Sequence, residues 1–279
     1  ADGGNVTHQY AQAGTRHIFV TGTSFAGFYV NGQAGKEKYI AVHSLGKWTQ
    51  DTMINCSGSF RGCSNLVYLG SDLFRHSPMV SGFIGCFEDC SGLTGLPTDL
   101  FRYNAGAADF SHCFAGCSGL TGLPGELFQY NTAASDFSGC FAGCSGLTEL
   151  PGTLFRYNTL ADMFGNCFYH CIGLTVLPAA LFRYNAAAAD FGECFRECTG
   201  LTALPTGLFR YNTKAVNFSF CFYGCTGLAT LSANLFRYNT AAVNFSSCFE
   251  GCSKVTLLAD MWGTGYTSQF SGKTVNFSR

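Results

Sequence analysis

The string Leu-Phe-Arg-Tyr-Asn begins at Leu100, Leu154, Leu181, Leu208 and Leu235, and every interval is 27 residues or a multiple of it. Leu127 opens a variant with Gln129 in the arginine position, and a degenerate copy, Leu73-Phe74-Arg75-His76-Ser77, sits one period earlier. A second block keeps the same step, with copies from Phe83, Phe110, Phe137, Phe164, Phe191, Phe218 and Phe245 and a weaker one over Cys56 to Cys63. A register that never slips means one supersecondary unit stacked on itself. A unit this short cannot bury its own apolar face, so its neighbours must complete the core.

Within one unit, Phe110, Cys113, Phe114 and Cys117 fall at i, i+3, i+4 and i+7, the stripe of a short amphipathic helix. Ser118-Gly119 breaks it, and Leu120 and Leu123 bracket a small strand or extended step before Pro124. Gly125 to Asn131 reads as one more helical turn started by the proline. The expected fold is therefore an α/β repeat, each coil running extended segment, turn, short helix, turn.

Charged residues make up only 12% of the chain, against about 25% in typical domains. The formal net charge is -1, so no global field steers the protein to nucleic acid, and a nucleic-acid partner is not expected. No stretch approaches the roughly 20 apolar residues that span a bilayer, so no membrane span is expected either. The sequence starts at Ala1 rather than Met, which reads as a processed or trimmed form.

The run Phe-x-Gly-Cys-Ser-x-Leu-Thr-x-Leu-Pro, as in Phe114, Gly116, Cys117, Ser118, Leu120, Thr121, Leu123 and Pro124, resembles the BspA-like leucine-rich repeats of bacterial surface proteins. The resemblance covers roughly residues 56 to 257. It implies a right-handed leucine-rich-repeat-type solenoid of 27-residue coils, displayed outside the cell and used for adhesion. The departure is the additional cysteine one turn earlier, as at Cys113, where that family more often carries a small or apolar residue.

Ahead of the array, residues 6–22 alternate apolar and polar around a glycine-containing turn and read as a β-hairpin. Asp2, Gly3, His8, Tyr10 and Gly14 make this segment similar to the closing half of polycystic-kidney-disease-type β-domains. Residues 1–50 are expected to form a short β-rich N-terminal cap, 51–257 the solenoid of seven clear coils and one degenerate coil, and 258–279 a C-terminal cap.

Fourteen of the 16 cysteines form two columns four residues apart: Cys86 and Cys90, Cys113 and Cys117, Cys140 and Cys144, Cys167 and Cys171, Cys194 and Cys198, Cys221 and Cys225, Cys248 and Cys252. One reading is a buried ladder of thiols, since cysteine packs as a small hydrophobe and i, i+4 shares one face. A second is a set of disulfide staples joining Cys63 to Cys86, Cys90 to Cys113 and so on. Ser59, where the first block lacks its earlier cysteine, fits that pattern. Against it, both columns lie on one stripe, whereas staples need them to face opposite neighbours. A metal site is the weakest reading, because one cysteine pair per coil does not supply four ligands, and neither metal nor cofactor is expected.

Two further columns are arginine (Arg102, Arg156, Arg183, Arg210, Arg237) and tyrosine (Tyr103, Tyr130, Tyr157, Tyr184, Tyr211, Tyr238). Stacking turns them into stripes suited to a protein or glycan, although packing between coils accounts for them as well. The asparagine column from Asn104 to Asn239 reads as structural, its amide satisfying backbone groups at a corner. Positions that vary between coils are better recognition candidates, notably Tyr169-His170, Arg196-Glu197 and Tyr223.

No histidine recurs beside a cysteine, serine or carboxylate, and many equivalent cysteines argue against a single activated nucleophile. Asp109, Asp136 and Asp190 share a column with Met163, Asn217 and Asn244, the behaviour of a turn or cap position. The expected function is therefore not enzymatic. It is adhesion or ligand binding at a cell surface or in the extracellular space, to a protein or glycan on a host or neighbouring surface. The alternative is a self-assembling or receptor-binding component of a larger assembly, such as a phage tail fibre in a virion.

Overall fold

A computed structural model describes residues 40–45, 55–231 and 234–255. The expected hairpin at 6–22, the rest of the N-terminal cap and the C-terminal cap at 258–279 lie outside the described residues.

The chain winds into a stack of coils. Parallel bridges join Gly82 to Asp109, Asp109 to Asp136, Asp136 to Met163, and continue through Asp190 and Asn217 to Asn244. Strands β1 (Ala41–Val42) and β2 (Tyr68–Leu69) pair in parallel, Ala41 against Tyr68. Ala203 and Thr230 bridge in the same repeat column as that pair. The extended step expected around Leu120–Leu123 therefore pairs between coils at both ends of the stack. The column of Asp109, read as a turn or cap position, is both a bridge and a cap: Asp109 Oδ1 accepts the Ser111 amide (2.9 Å) and Asn217 Oδ1 the Ser219 amide (3.0 Å). Asparagine replaces aspartate there because either side chain closes that local turn.

The stripe Phe110–Cys117 is not an α-helix, and no helix occurs among the described residues. The amides of Cys113, Ala115 and Cys117 donate three residues back, to Phe110, His112 and Phe114. The amides of Phe110, His112, Phe114 and Gly116 donate instead to Asp136, Ser138, Cys140 and Ala142 of the next coil. An α-helix consumes its amides internally, whereas here alternate amides are turned along the stack and bind the coils together. His112 (φ 53°) and Gly116 (φ 71°) adopt the left-handed conformation that reverses the chain in such turns. The segment from Pro124 to Asn131 is built likewise, with Leu127, Gln129 and Asn131 each donating three residues back, rather than as a helical turn.

This winding turns three phenylalanine columns inward, represented by Phe110, Phe114 and Phe128, all fully buried. Each stacks on its counterparts: Phe114 on Phe141 at 5.6 Å and 6°, Phe110 on Phe137 at 5.7 Å and 11°, Phe101 on Phe128 at 5.9 Å and 8°. Between columns the rings meet edge to face, as Phe128 and Phe137 do at 4.9 Å and 62°. Both geometries are favoured by the aromatic quadrupole and are worth about 1 kcal/mol per pair beyond burial.

The glycine at Gly119, Gly146, Gly173 and Gly200 is fixed by close approach. A Cβ on Gly173 would lie 2.5 Å from the Ser145 carbonyl oxygen and 2.7 Å from that of Leu147. Backbone cannot yield as a flexible side chain does, so Gly173→Ala is expected to cost about 1–3 kcal/mol. A urea-unfolding comparison with an exposed substitution such as Thr159→Ala, expected to be near neutral, checks this.

Candidate functional surfaces

The inward columns carry the polar groups that a stack must satisfy. Asn131 is fully buried, and both hydrogens of its amide nitrogen donate to the previous coil, to Phe101 O (3.2 Å) and Asn104 O (2.8 Å). Asn158, Asn185, Asn212 and Asn239 repeat the contact, so one side chain per coil ties two backbone corners together.

The cysteine columns are buried, and no disulfide joins the described cysteines. The later cysteine of each coil donates its thiol to a phenylalanine carbonyl of the previous coil: Cys117 to Phe87 O (3.1 Å), Cys144 to Phe114 O (3.2 Å), Cys198 to Phe168 O (3.0 Å). Burial pushes the Cys171 thiol up to about 12 and that of Cys252 up to about 11, with a backbone hydrogen bond opposing in each. Desolvation also drives Cys113 and Cys140 well above the ordinary thiol range. Such groups are poor nucleophiles and poor metal ligands, since both roles need thiolate. Among the described residues no three His, Cys, Asp or Glu side chains come together as a metal-binding group.

Five variable-position candidates, Tyr169, His170, Arg196, Glu197 and Tyr223, meet on one face of three successive coils. Arg196 binds Glu193 Oε2 at 2.8 Å and Glu197 Oε1 at 3.4 Å. Glu197 Oε2 accepts the Tyr169 hydroxyl and lies against His170 Nδ1, both at 3.3 Å. The Arg196 guanidinium sits 5.6 Å from the Tyr169 ring, 5.0 Å from Tyr223 and 5.8 Å from Phe220. Its bond to Glu193, with the neighbouring carboxylates, raises its affinity for the proton, while burial and then Glu197 raise the Tyr169 phenol. Sequence reasoning missed Glu193 and Phe220. Both occupy the column of His112, assigned to a helix, yet glycine recurs there at Gly85 and Gly139 and marks a left-handed turn position.

The arginine and tyrosine columns interleave along another edge. Arg156 lies 5.6 Å from the Tyr157 ring and 5.5 Å from Tyr184, Arg183 5.8 Å from Tyr184 and 5.4 Å from Tyr211, Arg210 5.9 Å from Tyr211 and 5.2 Å from Tyr238. Arg237 continues the series over Tyr238 at 5.7 Å. Arg102 contacts Tyr103 and Tyr130, and Gln129 then interrupts the alternation. The phenols stay exposed, Tyr184 by 39% and Tyr211 by 42%, so this stripe holds coils together and faces solvent at once.

The sequence matches no protein-family model and no curated protein. Among solved structures the chain is similar to a leucine-rich repeat protein from Bacteroides ovatus, with 16% identity, 74% of this chain and 70% of that one covered, and a TM-score of 0.32. It is also similar to a leucine rich cell surface protein from Faecalibacterium prausnitzii, with 13% identity, coverage of 82% and 81% and a TM-score of 0.35. A chain of the Drosophila Toll–Spatzle complex matches at 18% identity and a TM-score of 0.32, over 77% of this chain and 33% of that one.

Proposed function

We propose that the chain is a leucine-rich-repeat solenoid of right-handed, 27-residue coils, displayed outside the cell, that binds a protein or glycan of another surface and catalyses no reaction. The observation that carries this reading is the exposed arginine–tyrosine alternation, unbroken from Arg156 to Tyr238. Arginine and tyrosine dominate binding hot spots because each joins a large contact area to directional hydrogen bonding. The buried columns support the non-catalytic reading: cysteines that pack as protonated thiols, and asparagines committed to backbone, leave no activated group inside the stack. The coil length is supported by bridges and amide bonds that recur every 27 residues, and the handedness by the resemblance of the repeat motif. Caps over 1–50 and 258–279 close the stack in this reading. Ile40 accepts the amide of Val67, one period on, which supports pairing of residues 40–45 with the array.

Binding of the purified full chain to arrays of extracellular-matrix proteins and glycans tests the proposal. Replacing Arg183 and Arg210 together by alanine is expected to weaken the principal interaction by roughly tenfold or more. Absence of any ligand, or binding indifferent to every exposed column, would contradict it. Self-assembly is favoured by one feature: Val216 and Val243 are adjacent in one column and exposed by 41% and 73%. An ordered oligomer in light scattering, lost on Val243→Lys, would support assembly over binding.

A further inference from the structure

The arginine–tyrosine stripe contains its own example of how a carboxylate sits on it. Asp72 lies 3.5 Å from Arg75 of its own coil and accepts the Tyr103 hydroxyl of the next at 3.1 Å. Asp99 and Glu126 hold the same repeat position in the two following coils. From there the position changes to Thr153, Ala180 and Gly207, while arginine and tyrosine persist. Arg156, Arg183 and Arg210 are exposed and have no carboxylate within ion-pair distance among the described residues. The position thus carries a carboxylate as far as Glu126, with the seat at Arg75 filled by the chain's own Asp72, whereas the seats at Arg156, Arg183 and Arg210 are left unfilled.

We infer that these seats take an extended acidic peptide of a partner protein, one with Asp or Glu at every second residue. Its carboxylates are received by Arg156 with Tyr184, Arg183 with Tyr211 and Arg210 with Tyr238. This rests on the binding reading above and gives it a ligand chemistry. The pitch fits: the adjoining rings Phe155, Phe182 and Phe209 stack at 6.1 Å and 6.0 Å, so seats recur at that step. Same-face side chains of an extended strand recur about every 6.6–6.8 Å. Over three seats, long arginine side chains absorb the difference. Sugar rings and nucleic-acid bases fit less well, because both stack on open aromatic faces, and Tyr184 and Tyr211 are each covered by an arginine from two coils.

The test measures fluorescence anisotropy of the full chain with three probes: a seven-residue peptide alternating Asp and Thr, the same composition with its aspartates contiguous, and an oligogalacturonate. The protein variant is Thr153→Asp with Ala180→Asp, which fills two seats from within. Aspartate already occupies this position at Asp72 and Asp99, so the coils accommodate it, and a melting curve confirms folding. Arg183→Gln is the second variant. The alternating peptide is expected to bind, to prefer low salt, and to lose roughly tenfold in affinity on the double variant, the ratio for two or three surface ion pairs. Arg183→Gln is expected to lose a smaller factor in the same direction. Equal binding of the contiguous peptide, tighter binding of the oligogalacturonate, absence of peptide binding, or variants that bind like the parent would each overturn the inference. A matrix ligand whose binding ignores Thr153→Asp and Ala180→Asp would remove this inference and leave surface binding standing.

Discussion

Raising the pH from about 8.5 to 9.5 is expected to unfold the stack, before tyrosine and lysine titrate. An unfolded thiol ionises near pH 8.5, whereas burial holds the folded thiols protonated, Cys252 up to about 11 and Cys171 up to about 12. The folded pKa is the higher one, so this contribution is fully present below about pH 8.5 and is lost as the pH rises toward the folded values. Above pH 8.5 the unfolded chain binds fewer protons than the native one, and stability falls by about 1 kcal/mol per thiol per pH unit. Over the 15 cysteines whose thiols burial raises, the loss is on the order of 10 kcal/mol, comparable with the whole stability of a typical domain. Urea midpoints measured across this range under reductant check it. A midpoint that stays flat to pH 9.5 would mean that the cysteines are not buried thiols.

Asn185→Asp is the second large effect. The amide nitrogen of Asn185 donates to Phe155 O at 3.0 Å and Asn158 O at 2.8 Å. A carboxylate there would point lone pairs at two carbonyls and bury its charge without a donor. Protonation relieves the charge but restores only one of the two hydrogen bonds. The expected cost is on the order of 4 kcal/mol near neutral pH, partly regained as the pH falls toward about 4. Asn185→Ala is expected to cost less, about 1–3 kcal/mol, because Phe155 O and Asn158 O still accept the amides of Asn158 and Ala161. Chemical denaturation of both variants gives the order, and an alanine variant weaker than the aspartate one would contradict the role of the donors.

The inward face of each coil was legible from spacing, because Phe110, Cys113, Phe114 and Cys117 recur without slippage. The element carrying them was not. A train of turns bonded three residues back places i, i+3, i+4 and i+7 on one side almost as a helix does, so periodicity does not separate the two. The distinguishing signal lay in glycine: Gly116, Gly143, Gly224 and Gly251 recur at one position with left-handed φ, where a helix would disfavour them. Phe128 and its counterparts stood inside the most obvious repeat string, yet their stacking became visible only once the coils were closed. The cluster around Arg196 was half legible. Its members vary between coils, but the grouping of Tyr169, Arg196 and Tyr223 depends on positions 27 residues apart becoming neighbours. The carboxylate seats at Thr153, Ala180 and Gly207 are positions that lack a carboxylate, and only the geometry of Asp72 gives them meaning.

The buried columns, cysteines included, serve the stacking of coils, whereas the proposed recognition lies on columns that stay exposed. Thiol titration without reductant tests this most directly. The native chain is expected to expose almost none of its buried thiols, and the denatured chain to release all 16. Release of only two would contradict the account, since seven staples from Cys63–Cys86 to Cys225–Cys248 consume fourteen of the 16.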